Sequence, residues 1–120
     1  MKRTHGMIVI VVLCAVMLGT ALVAHAADAE QGQKLYGQFC ATCHGQSGKG
    51  DGPAAAALNP KPRDHTDKEY MSKLSDDDML KVIKNGGASV GKSPLMPPWG
   101  ASLKDDQIQD IIAYVRTLSK

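Results

Sequence analysis

Aromatic side chains are few: Tyr36, Phe39, Tyr70, Trp99 and Tyr114 make up the whole set. Past residue 26 there are no runs of β-branched residues either, so nothing supports a ladder of strands. Cysteine is equally scarce. Cys14 stands inside an apolar N-terminal run, and Cys40 and Cys43 are too close together to staple distant elements, which excludes a disulfide framework. An excess of one charge is also missing. Residues 27–120 hold twelve basic and twelve acidic side chains, and that balance excludes nucleic acid as a partner, since binding it takes a basic surplus.

The one long apolar stretch runs from Met7 to Ala24, with Lys2 and Arg3 before it and Ala24-His25-Ala26 at its end. Basic, apolar and small-residue regions in that order predict a secretory signal peptide, residues 1–26, removed to leave a periplasmic domain of residues 27–120. The same 18 residues are just enough to cross a bilayer, so an uncleaved anchor facing the periplasm is the rival expectation. Leu13 stands where a lipid-modified Cys14 would need a small neighbour, which argues against a lipid anchor.

What remains reads as all-α. Asp28 can cap a first helix through about Cys40, with Leu35, Tyr36 and Phe39 on one face. From Gly45 to Arg63 the composition turns to Gly, Ala, Pro, Ser and Asn, which predicts a loop with at most a short turn at Ala54–Leu58. Ser75 followed by three aspartates announces a second helix, which Gly86-Gly87 ends. After a proline-rich irregular stretch, Ile108, Ile111, Ile112, Val115 and Leu118 mark a closing helix over Asp105–Leu118. Three to four short helices and long loops cannot close a large core alone in so small a domain, so the architecture asks for an apolar guest.

The stretch "CATCH", residues 40–44, names that guest. Two thiols three residues apart on a helical turn can add across the two vinyl groups of a haem, while the following imidazole approaches the iron from the same side. A dithiol redox pair would need the βαβ surroundings that are missing here, and a zinc site would need a second cysteine pair. Cys40 and Cys43 are therefore read as covalent haem c attachment points and His44 as one axial ligand. Met96, in the proline-braced "SPLMPPWG", is the candidate for the other axial position, where a thioether raises the reduction potential relative to a second histidine. His65, Met71 and Met79 compete with it; Met79 sits on the apolar face of a helix, where methionine is usually core filler, and His65 lies in a polar neighbourhood where exposure is the default. The carbonyl of Pro53 is a candidate acceptor for the second ring proton of His44, against a plain loop proline. Trp99 can either donate to a haem propionate or pack against the ring, and Arg63 or Lys61 can offset propionate charge.

With "GQKLYGQFCATCHG" at the front, "MPPW" near the end and "IIAYVRTLS" as the last helix, residues 29–119 resemble a class I single-haem c-type cytochrome of bacteria. The resemblance implies a small cytochrome c fold wrapped around one covalently attached haem, with Cys40 and Cys43 attached and His44 and Met96 on the iron. It also implies a close crossing of first and last helices, Gly32 and Tyr36 against Ile111 and Tyr114. An iron with both axial sites filled leaves one-electron transfer as the expected function, not enzymatic turnover. The expectation is a monomeric carrier meeting redox protein partners transiently. Alternatives are a haem subunit of a membrane-bound oxidoreductase, or a ligand-sensing or catalytic haem protein with a labile distal Met96.

Overall fold

The computed structural model describes residues 24–120, and all but the last few residues of the expected leader lie outside them. Among the described residues five α-helices follow in order: α1 (Ala29–Phe39), α2 (Ala41–His44), α3 (Lys68–Ser72), α4 (Asp76–Asn85) and α5 (Asp105–Leu118). Single 3-10 turns lie at Ala55–Ala57 and Gly87–Val90. No strand occurs among the described residues.

The helices start where their capping residues dictate. Asp28 accepts from the free amides of Glu30 and Gln31 at 2.9 and 3.2 Å, and Ser75 Oγ accepts from Asp78 at 3.0 Å. At α5 the Gln107 side chain reaches back to accept the Lys104 amide at 3.0 Å. Helix α3 was not expected from the sequence. Asp67 caps it, accepting from the Tyr70 amide at 3.0 Å.

Helix α1 crosses α5 at Gly32, where a Cβ would overlap the backbone carbonyl of Asp110. Glycine is required there because only its absence of side chain lets the two backbones touch. Tyr36, one turn on, is 1% exposed and meets Tyr114 edge to face at 5.2 Å. Ile108 and Ile111 fill the same contact at 0% and 1% exposure. Each such side chain contributes roughly 1.5–3 kcal/mol relative to remaining in water. The crossing inferred from Gly32, Tyr36, Ile111 and Tyr114 is thus present. Arg116 binds the rest to it: its guanidinium donates to the carbonyl of Met71 at 2.7 Å and to Asp76 at 2.9 Å, tying α5 to α3 and α4.

Asp110 is a buried carboxylate, 4% exposed, on the α1 side of α5. Its Oδ1 accepts from the Asp28 amide and pairs with His25 Nε2, each at 2.8 Å. That hydrogen bond raises the pKa of His25 above its ordinary value. One member of the pair, His25, belongs to the segment expected to be removed.

Candidate haem site

The sequence placed both cysteines near one helix end, and the structure resolves how. The Cys40 amide still bonds to the Tyr36 carbonyl at 2.9 Å, closing α1, and the chain then begins the separate turn α2. Cys40 is buried and Cys43 half-buried, and neither is in a disulfide. Burial, and secondarily the neighbouring Cys43, push the Cys40 thiol up to about 12. A dithiol redox centre works through a thiol whose pKa is lowered, so this environment speaks against one.

His44 ends α2, and its Nδ1 lies 2.9 Å from the carbonyl oxygen of Arg63. A carbonyl can only accept, so Nδ1 carries the proton and donates. Burial lowers the His44 pKa and keeps the ring neutral. Nε2 therefore holds a free lone pair, which is what a metal ligand requires. The acceptor is Arg63, not Pro53: Pro53 is exposed in the loop that follows α2, and its carbonyl is not the partner of His44.

The loop's glycines bring Arg63 there. Gly50 has φ +74° and donates its amide to the His44 carbonyl at 2.8 Å, while a Cβ on it would strike the carbonyl of Pro62. Residues 62–65 can thus lie directly against the α2 turn. His65, expected to face solvent, is half-buried in this packing, with its ring stacked on that of His44 at 4.2 Å and 18°. Burial first, then the adjacent His44, push its pKa down to about 3, so His65 too is neutral. A ring lying face to face with His44 is on that residue's own side.

Met71 and Met79 are 1% and 5% exposed within the core, while Met96 is half-buried at its edge. The Met96 loop is pinned at several points. The Met96 carbonyl accepts from Gly87 at 2.9 Å, and the Trp99 and Gly100 amides bond to the α4 carbonyls of Ile83 and Lys84 at 2.9 and 3.0 Å. Trp99 packs edge to face on Phe39 at 5.3 Å, which joins this loop to the end of α1. Arg63 lies over the Tyr70 ring at 3.8 Å, and Lys92 donates to the Tyr70 hydroxyl at 2.8 Å, whereas Lys61 is exposed.

Apolar side chains between α4 and the Met96 loop are incompletely covered. Leu74, Leu80 and Val82 are half-buried, and Val90 and Leu95 are 39% and 51% exposed. Leu74, Asp78, Val82, Val90 and Lys92 line a cavity of 190 Å³ there. Half-covered apolar side chains of this kind can pack against a flat apolar group. A wider groove of 450 Å³ runs along Gly37, Ala41, Thr42 and the loop to Pro53, and neither His44 nor Met96 lines it.

Helical frame and donor set together define a class, the small c-type cytochrome domain. The comparisons agree: the family model described as cytochrome c oxidase, cbb3-type, subunit III matches residues 27–115, and the chain belongs to that family of haem c domains. It is 32% identical over 91 residues to the Cbb3-type cytochrome c oxidase subunit FixP of Bradyrhizobium sp. (strain ORS 278), covering 76% of this chain and 28% of that protein. The chain thus spans under a third of the length of that relative. Cytochrome c-554(547) of Halothiobacillus neapolitanus is 34% identical over 95 residues, covering 78% of this chain and 99% of its own. Among solved structures, the KustC0563 c-type cytochrome superposes with a TM-score of 0.60 at 28% identity, covering 74% of this chain and 98% of that one. The class I c-type cytochrome expected from the motifs, with its all-α fold and covalently bound haem c, is therefore established.

Two features of the site escaped the sequence reading. Any carbonyl in a long loop can serve His44, so no residue type marked Arg63 as the partner. His65 was hidden by its polar neighbours, although a histidine within reach of a buried tyrosine such as Tyr36 is a signal in principle.

Proposed function

We propose that this chain is an exported one-electron carrier whose single haem is joined through Cys40 and Cys43 and held on its iron by His44 and Met96. The observation that carries this reading is the state of His44: neutral, its Nδ1 committed to the Arg63 carbonyl, its Nε2 free, one residue after the paired thiols. Met96 is the distal candidate because Met71 and Met79 are spent in the core and His65 lies on the His44 side. When bound, the haem supplies an Fe(II)/Fe(III) couple.

The protein's part is to hold both ligands still. The Arg63 carbonyl orients His44, the Gly87 amide holds the Met96 carbonyl, and the Trp99 and Gly100 amides pin the Met96 loop against α4, so neither ligand needs to move when the charge changes. With both axial positions taken by the chain, no site remains for a substrate, and the protein passes electrons without acting as an enzyme. Donor and acceptor are redox proteins met briefly at the exposed Val90–Leu95 edge, by a monomer of residues 27–120 cut after Ala26 and free in the periplasm.

The match to the larger oxidase subunits favours a second reading, a haem module tethered to a membrane oxidoreductase by an uncut N-terminus. No helix among the described residues is long and apolar enough to cross a membrane, and the apolar run Met7–Ala24 is the candidate tether. Osmotic-shock fractionation separates the two: the carrier is released, whereas the tethered module sediments with membranes. Carbon monoxide added to the reduced protein tests the filled distal site. Slow, substoichiometric binding at neutral pH is expected, and rapid stoichiometric binding would point instead to a ligand-sensing haem.

A further inference from the structure

Resting on the assignment of His44 to the iron, we propose that His65 is a positioning residue that fixes the plane of the His44 ring, and that Tyr36 anchors it from the α1–α5 crossing. One hydrogen bond fixes a direction, not a plane. The Arg63 carbonyl holds Nδ1 of His44 at 2.9 Å, yet the ring could still rock about that bond. A second ring, parallel within 18° and 4.2 Å away, removes that freedom from one face.

His65 can do this because it is itself held at two points. Its backbone amide donates to the Gly48 carbonyl at 2.6 Å, and its Nδ1 lies 3.0 Å from the Tyr36 hydroxyl. Tyr36 is 1% exposed, and His65 is the partner its hydroxyl has. The hydroxyl must therefore donate to Nδ1, since the reverse arrangement would leave a buried O–H proton without an acceptor. Tyr36 in turn sits edge to face against both Tyr114 and His65, at 5.2 and 5.8 Å. A chain of contacts thus runs from the most tightly packed part of the molecule, through Tyr36 and His65, to the imidazole offered to the iron. Gly48 makes room for it: at φ +77° a Cβ there would press on both Leu118 and His65.

The test uses the haem-loaded protein, with electron paramagnetic resonance of the ferric state and the equilibrium with a fixed one-electron donor as readouts. His65→Ala should shift and broaden the low-spin g values. It should also move the reduced-to-oxidised ratio about tenfold toward oxidised, about 59 mV for one electron, because water beside His44 favours the more highly charged iron. Tyr36→Phe and His65→Phe, which keep a ring but lose the hydrogen bond, should each show a smaller shift in the same direction. If His65→Ala keeps the parent g values and a ratio within twofold, the proposal is overturned, even where its melting temperature falls. Should His65→Ala fail to take up haem, the two conservative variants decide alone, and parent-like values in both overturn it. A parent without a low-spin histidine-ligated spectrum would instead sink the His44 assignment, before any variant is compared.

Discussion

The α1–α5 crossing and the wall between α4 and the Met96 loop use similar apolar side chains but close differently. At the crossing the central large groups are enclosed by protein: Tyr36, Ile108 and Ile111 are at most 1% exposed, and the backbones touch at Gly32. At the wall, Leu74, Leu80, Val82 and Met96 are half covered and Leu95 is 51% exposed. One region is complete with protein atoms alone. The other leaves apolar surface only half covered, in a long loop whose backbone bonds are partly internal and partly to the α4 carbonyls of Val82, Ile83 and Lys84.

The sharpest way to break that contrast is to deny the guest. In Cys40→Ala/Cys43→Ala no haem can be joined, and hydrogen exchange should show residues 86–100 losing protection while the amides of α1 and α5 keep much of theirs. Equal loss in both regions would mean that the crossing also depends on haem. Gly32→Val attacks the other side of the comparison. Its side chain must push α5 away from α1, at a cost of about 3 kcal/mol or more, and thermal unfolding should show both regions failing together. Trp99→Ala removes the edge contact with Phe39 that joins the two regions. Because Trp99 is half-buried, about 2 kcal/mol is expected in denaturant titration, below the roughly 3–5 of a fully buried aromatic.

The smallest effect concerns the N-terminus. In the uncut chain, Asp110 raises the His25 pKa, so the pair adds stability that is full below the ordinary histidine value near 6.5 and fades as pH rises through the raised one. Melting temperature against pH should show this for the uncut chain and not for one beginning at Ala27. Identical profiles would mean that the pair contributes nothing measurable.

The two crossing helices were legible because their signals are local or periodic, the spacing of Ile108, Ile111, Ile112 and Val115 and the Asp28 cap, whereas their crossing at Gly32 and Tyr36 came from the family resemblance. The candidate attachment motif stood out for the same reason, two cysteines and a histidine in a fixed order at positions 40–44. The loops were not. Helix α3 is five residues long and held by Asp67 and by Arg116 from 45 residues away, neither of which leaves a period in the sequence. Arg63 serves His44 through its backbone, so its side chain gives no clue, and His65 is covered by a loop whose path depends on the positive φ of Gly45, Gly48 and Gly50. The buried Asp110 was missed as well, since an aspartate within α5 looks solvated until Asp28 and His25 are seen beside it.

The most direct measurement is the far-red absorption of the exported ferric protein, compared with Met96→Ala. The parent should show the weak sulfur-to-iron band, and Met96→Ala should lose it with its haem still covalently joined. A colourless parent with alkylatable Cys40 and Cys43, or a band that survives the loss of Met96, would contradict a haem held between His44 and Met96.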